Sequence, residues 1–352
     1  NNITNNDIEL ASIMQDPNTG EVLALTGGKD YSKSQYNRAL YAKRQVGSTL
    51  KPFLYYVALE NGFTESTTFT SEATTFVFAN DQTYSPNNYN NKYGNKDISM
   101  ATAIAYSENI YAVKTHLFLG EETLVEMLKR VGITSPLEAI PSLALGSEEI
   151  TLKDMVSAYS TFASGGFKTN THFIKKIEDS NGNILYEYKD NKEQVLNSSL
   201  VYIMNEILTS TYNYNFIDYN YPTCYDIASK LTKKYSIKTG TTDTDHLIFG
   251  YNNNIVVGIW SGYDDNRQAE TSEGKTIKNM WADIVENYLK DKENTWYELP
   301  NNVVGVLVNP ITGEVADENT KNATMFYYIK GTEPTYTDSS LDNLIPTIKL
   351  QE

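Results

Sequence analysis

The reading of this chain turns on "KRQVGSTLKPFLYYVALENG", residues 43–62. Ser48 precedes Lys51 by three positions, a proline follows, and the next residues are apolar. Residues three and four apart are surface neighbours on a helix, so an alcohol and an amine share a face at the head of an apolar helix. Pro52 suits that start, because the first helical turn has no amide partner to lose. A serine hydroxyl is a weak nucleophile at neutral pH unless a neighbour removes its proton. Lysine can do so only when uncharged, and burial or a nearby cation must then lower its ordinary value of about 10.4. Leu50, Phe53, Leu54, Val57 and Ala58 supply apolar surroundings, and a helix N-terminus disfavours positive charge. The spacing alone is cheap. Ser272 and Lys275 repeat it in "TSEGKT", where polar neighbours predict a solvated loop.

Two further segments could contribute to a cleft. "AYSENIYAVK" offers Ser107 and Asn109, a hydroxyl to pass a proton and an amide to hold a peptide; both residue types equally suit a helix cap. Ser85 and Asn87 show the same pattern inside a long polar loop, residues 80–97. In "YSIKTGTTD", Lys238, Thr239, Gly240 and Thr241 end an alternating strand. A substrate backbone could lie beside Gly240 as an added strand, and the cation and hydroxyls could hold a carboxylate. An ordinary strand closing in a glycine turn would look the same.

The rest of the chain bounds these readings. Its 352 residues, 40% hydrophobic and 21% charged, describe a folded protein of one or two domains. A net charge of −15 argues against nucleic acid or an anionic membrane face as a partner of the whole surface. Cys224 is the one cysteine, which excludes an intrachain disulfide, and it reads as a spectator thiol. No apolar run reaches the ~18 residues of a membrane span. Tyrosine is unusually common at 27.

Residues 1–10 read as a linker remnant, 11–291 as the main domain, and 292–352 as a β-rich extension packed on or following it. "ASIMQDPNTGEVLALTGG" reads as a hairpin, residues 99–131 as helix ending at Gly132, and "KKYSIKTGTTDTDHLIFGYNNNIVVGIWSGYDD" as three strands. "VVGVLVNPITGEVADE" repeats the early Pro-x-Thr-Gly-Glu-Val turn, which is shared turn chemistry and not a domain repeat. Strands at both ends with helices between them predict an α/β fold with a largely antiparallel central sheet.

Ser-x-x-Lys, Ser-x-Asn and Lys-Thr-Gly in this order resemble the motif set of penicillin-binding proteins and class A β-lactamases. The middle element here is Ser-Glu-Asn, of which only the outer residues are expected to be required. Longer stretches are similar to the transpeptidase domain of class A (bifunctional) penicillin-binding proteins. They include "DPNTGEVLALTGGKDYSKSQYNRALYAKRQVGSTLKPF", "LALGSEEITLKDMVSAYSTFASGG" and "FYYIKGTEPT".

The resemblance implies the serine β-lactamase/penicillin-binding transpeptidase fold and a cofactor-free acyl-enzyme reaction with no metal. Ser48 would be acylated by the D-Ala-D-Ala end of a peptidoglycan stem peptide, with Lys51 as base. Ser107 and Lys238 would pass a proton to the leaving group, and Asn109 would contact the peptide. Thr239, Gly240 and Thr241 would bind substrate, and the amides of Ser48 and Thr241 would form the oxyanion hole. It further implies covalent inhibition by β-lactams and an extracytoplasmic setting. A membrane anchor and glycosyltransferase domain would precede this region, and other cell-wall synthesis proteins are possible partners.

Three alternatives share parts of this pattern. A β-lactamase needs a carboxylate to activate water. Glu193–Asn197 matches its Glu-x-x-Leu-Asn, but 86 residues after Ser107 and leading into a helix, where capping fits better. A D,D-carboxypeptidase differs only in its acceptor, water, and the segment Gly27, Gly28, Asn37, Arg38, Ala39 tilts toward the bifunctional class. A non-catalytic β-lactam sensor or scaffold would be free to lose Ser48 or Lys51.

Overall fold

The computed structural model describes residues 7–79 and 81–335. Its centre is a five-stranded antiparallel sheet in the order β3-β4-β5-β1-β2. The strands are β1 (Glu9–Gln15), β2 (Val22–Thr26), β3 (Ser236–Thr241), β4 (Asp245–Asn252) and β5 (Ile255–Gly262). Both faces of the central strands are covered, and every residue of β4 and β5 is buried. Strand alternation sorts their side chains between two helices. Phe249 and Tyr251 pack with the core that includes α4 (Leu152–Ala163), whereas Ile248 and Val257 join Trp281 and Val285 of α6 (Thr271–Leu289). The chain is α/β with an antiparallel sheet, as the strand and helix runs predict.

Helix α1 (Lys51–Glu60) is buried from Lys51 through Leu59. A helix apolar around its whole circumference belongs in a core. Phe53 stacks on Phe162 and meets Tyr159 edge-on, both on α4. The helix expected over 99–131 is broken into α2 (Met100–Tyr106), α3 (Asn109–Leu119) and a further helix, Glu121–Arg130. The breaks fall where the backbone takes positive φ, at Ser107 and at Gly120. Helix α5 (Ser198–Ile207) is capped by the Asn197 side chain, as expected for that segment.

Two other expectations are revised. Ser272 and Lys275 sit in the first turns of α6 and line a cleft, so "TSEGKT" is not a solvated loop. A capping box between Glu270 and Glu273 starts that helix. Strand β1 begins at Glu9, and Ile8 and Leu10 are buried, so the segment read as linker enters the fold before residue 11; residues 1–6 lie outside the described residues. Strands β6 (Val303–Val308) and β7 (Thr324–Ile329) pair antiparallel, and Phe326 and Tyr328 lie in the main core. The remainder of the predicted tail, 336–352, lies outside the described residues.

The two Pro-x-Thr-Gly-Glu-Val turns are built alike. Gly20 N–H donates to Asp16 O and Gly313 N–H to Asn309 O, with both glycines at positive φ.

The turn before α1 is held by close backbone contact. Gly47 has φ +55 and donates its N–H to Gly146 O at 3.1 Å. A Cβ on Gly146, itself at φ +75, would stand 2.0 Å from Gly47 O, and one on Gly240 of β3 would stand 2.7 Å from Val46 O. The turn is thus wedged between the 141–146 segment and the edge of the sheet. Gly146→Ala is expected to cost about 2 kcal/mol or more in stability. It should also reduce reactivity at Ser48, checked by denaturant unfolding and penicillin labelling.

Candidate active site

Ser48 lies in the short 3-10 turn Gly47–Leu50, directly ahead of α1, and Lys51 is the first residue of that helix. Lys51 is fully buried. Its Nζ donates to Ser107 O and to Asn109 Oδ1, each at 2.6 Å, with longer contacts to Glu108 O at 3.2 Å and Ser107 Oγ at 3.5 Å. Among the described residues no hydrogen bond joins Lys51 Nζ to Ser48 Oγ, so the directly bonded pair that the spacing suggests is not what the lysine forms. A neutral amine has two N–H groups and one lone pair, and the two short bonds account for both N–H groups. Burial, with Lys238 as a second cause, holds the Lys51 amine well below the ordinary lysine range, against the opposing pull of Glu108.

Ser107 ends α2 in the left-handed region, φ 58 and ψ 42. That conformation is uncommon for a residue with a Cβ and costs on the order of 1–3 kcal/mol. It turns the carbonyl of Ser107 toward Lys51 while the hydroxyl takes a 2.8 Å hydrogen bond from Lys238 Nζ. Lys238 also donates to Thr239 O at 2.7 Å. Burial pushes the Lys238 amine down to about 7. Ser107 Oγ therefore stands between two amines whose proton affinity burial lowers.

Asn109 starts α3. Its Nδ2 donates to Asn87 O, which fixes Oδ1 toward Lys51. Asn88 accepts from the Asn109 backbone N–H at 2.8 Å and donates to Glu108 Oε1 at 2.6 Å. Glu108, buried, also accepts from Ser71 Oγ and from the Tyr111 N–H, capping α3. The expectation that only the outer residues of Ser-Glu-Asn are required misses this. Glu108 points away from the cleft and supplies the negative charge nearest Lys51. Asn88 is the other residue sequence reasoning missed; the one available signal was the length of its polar loop.

Strand β3 is an edge strand. Thr242 N–H bonds Asp245 O, so antiparallel alternation turns the peptide groups of Thr241 and Thr239 to the open edge. The Thr241 amide thereby faces the Ser48 turn, within 3.4 Å of where a Gly47 Cβ would be. Gly240 does admit another backbone, but it is the chain's own, at Val46 and Thr49. Tyr159 fixes the same turn from the other side, its hydroxyl donating to Thr49 O at 2.7 Å.

Ser48, Ser107, Asn109, Thr239, Gly240 and Thr241 line one open cleft of about 700 Å³, with Lys51 and Lys238 buried beneath it. All eight sequence-derived site residues are thus brought together. Glu193 lies elsewhere, exposed in the short strand Glu193–Gln194. Cys224 is buried, its thiol pushed up to about 11 by burial.

Residues 10–272 match the family model of the penicillin binding protein transpeptidase domain, and residues 299–342 that of the penicillin-binding protein 1A C-terminal domain. The chain belongs to the penicillin-binding protein transpeptidase family. It is 43% identical over 330 residues to penicillin-binding protein 2D of Bacillus subtilis, covering 93% of this chain and 48% of that protein. It is 33% identical to penicillin-binding protein 1A of Aquifex aeolicus, covering 96% and 46%. The chain spans about half the length of these curated relatives. The crystal structure of penicillin-binding protein 1A from Haemophilus influenzae superposes with a TM-score of 0.86 at 26% identity, over 94% of this chain and 55% of that one. PonA1 of Mycobacterium tuberculosis, solved with penicillin V, shares the fold at a TM-score of 0.71 and 20% identity, covering 84% and 81%.

Within this penicillin-binding domain, the segment Gly27–Ala39 that tilts the sequence toward the bifunctional class is a scaffold. Arg38 is buried and reaches Asp264 and Glu9, tying the helical turn Arg38–Tyr41 to the ends of β5 and β1.

The buried amines make stability depend on pH. From about 7 up to the ordinary lysine value, the native chain binds fewer protons at Lys238 than the unfolded chain does. Stability should therefore rise with pH from about 7 to 9, before the raised value of Cys224 begins to act in the opposite direction. Lys238→Met should flatten that rise, read from denaturant midpoints across the window. Glu108→Gln should cost about 1–3 kcal/mol, because with its oxygen kept on Ser71 and Asn88 the amide NH2 would face the Tyr111 N–H, a donor against a donor. It should also slow acylation, measured by unfolding and by penicillin-labelling rate.

Proposed function

We propose that this domain is a peptidoglycan D,D-transpeptidase acylated on Ser48 by the D-Ala-D-Ala end of a stem peptide. The observation that carries the reading is the placement of Ser107 Oγ, 2.8 Å from Lys238 Nζ and 3.5 Å from Lys51 Nζ, on the cleft that Ser48 lines. In this scheme neutral Lys51 accepts the Ser48 proton through its free lone pair as Oγ attacks the penultimate D-Ala carbonyl. The N–H groups of Ser48 and Thr241 receive the developing oxyanion, commonly the largest electrostatic contribution in acyl transfer. The proton passes by way of Ser107, supported by Lys238, to the departing D-alanine amine. The terminal carboxylate sits on Thr239 and Thr241, and Asn109 holds the peptide. An amine from a second strand then attacks the ester, releases Ser48 and forms the cross-link. A β-lactam mimics the donor, and its opened ring stays bonded to Ser48.

We also place the domain on the extracytoplasmic face of a bacterial membrane, within a longer class A protein carrying a glycosyltransferase domain and an anchor. The lengths of its relatives support this. Among the described residues, no helix is long and apolar enough to cross a membrane.

Incubation with a fluorescent penicillin should give a stable adduct by intact mass, absent in Ser48→Ala. Lys51→Ala should lower acylation by about 10³-fold or more while the chain still unfolds cooperatively. Normal labelling of that variant would remove Lys51 from the scheme. Rapid turnover of the drug would indicate a β-lactamase, and no adduct at all a non-catalytic scaffold.

A further inference from the structure

The tyrosine excess concentrates beside the cleft. Between Thr211 and Asp226 there are tyrosines at 212, 214, 219, 221 and 225. Two of them use their hydroxyls inside the fold: Tyr212 donates to Tyr235 O and Tyr219 to Ser71 Oγ. The other three face outward. Tyr214, Tyr221 and Tyr225 are 49%, 56% and 37% exposed. Their hydroxyls make no hydrogen bond among the described residues.

These three rings form one run. Tyr225 stands between the others, 5.0 Å from Tyr214 and 5.3 Å from Tyr221 by ring centroids. Tyr221 lines the same cleft as Ser48. The backbone beneath is pinned: Cys224 N–H donates to Thr211 O and Thr223 N–H to Ala105 O, and Lys278 binds both Thr223 O and Asp226. Phe216 and Ile227 anchor the segment from below.

Contiguous exposed apolar surface on a rigid support marks a binding surface, and a pre-ordered one loses little entropy on binding. The rings are not coplanar, Tyr214 meeting Tyr225 edge-on at 83° and Tyr221 tilted 57° to it, so the surface mixes apolar ring faces and edges with hydroxyls. The adjacent charges, Asp226 and Lys278, are paired with each other. The surface therefore suits a neutral ligand that is itself apolar on its face and hydroxylated on its rim. A β-linked N-acetylhexosamine strand has that form: each pyranose ring presents C–H groups on its faces and hydroxyl and amide groups around its edge.

We infer that Tyr221, Tyr225 and Tyr214 form a platform for the glycan strand from which the donor stem peptide hangs. This rests on the transpeptidase reading. An extended five-residue stem reaches about 17 Å at most, so a peptide with its end at Ser48 keeps its sugar close to the cleft.

The test titrates an N-acetylglucosamine hexamer into the full chain by calorimetry, with penicillin labelling of Ser48 run in parallel. Saturable binding is expected, about tenfold weaker in Tyr225→Ala and largely retained in Tyr225→Phe, with labelling unchanged in both. Unchanged labelling also shows that the variants fold. A wild-type chain that labels with penicillin but does not bind the hexamer overturns the platform, as does a Tyr225→Ala chain that binds like wild type. Hexamer binding by a chain that does not label would instead overturn the transpeptidase reading and leave a saccharide surface standing.

Discussion

The site depends on how closely two backbone segments approach the turn that carries Ser48. Val46–Leu50 is pressed between the edge strand β3 and the 141–146 segment, at distances where a methyl group on Gly146 or Gly240 would overlap carbonyl oxygens. That contact fixes where the Ser48 turn stands relative to the Thr241 amide on the open edge of β3. Tyr159 completes the fixation by bonding Thr49 O while its ring stacks on Phe249 of β4 at 4.8 Å. The Ser48 turn is therefore held to the sheet, to α4 and to the 141–146 segment at once.

The burial of two lysines in one place follows from the same packing and would be costly if both were charged. Taking an ammonium out of water is unfavourable by several kcal/mol unless it finds partners or gives up its proton. Here the lysines do both in part. Lys51 has two carbonyl acceptors at 2.6 Å and the carboxylate of Glu108 nearby. Lys238 has a hydroxyl and one carbonyl. The strained Ser107 makes this arrangement possible, since a serine continuing the α2 helix could not present its carbonyl to one lysine and its hydroxyl to the other.

What the sequence makes legible is what is local. Ser48 and Lys51 are three residues apart, Ser107 and Asn109 flank one junction, and Lys238 to Thr241 form one strand end. Each unit shows its chemistry without reference to the rest of the chain. The alternating runs at 236–262 likewise announce the hairpins of the sheet. The non-local partners are not legible. Asn88 reaches Glu108 and Asn109 from a loop about twenty residues away, and asparagine-rich polar sequence carries no signal of which amide is buried. The left-handed backbone at Ser107 is not legible either, because positive φ at a serine is imposed by tertiary contacts. "TSEGKT" misled for the opposite reason: its polar residues belong to a helix N-terminus facing an open cleft, where amphipathic patterning is weak.

The two amines are not equivalent, and the difference bears on the proposed reaction. A base must present a lone pair to Ser48, and Lys51 has one left once its two N–H groups are bound by carbonyls that cannot donate in return. Lys238 instead directs a hydrogen at Ser107 Oγ, which leaves the proton of that hydroxyl free to point elsewhere. A serine that accepts from one amine can donate onward to a leaving group and be resupplied from behind. In the proposed scheme the order of proton movements follows from which oxygen each buried amine touches, and those contacts are set by the turn at Ser107.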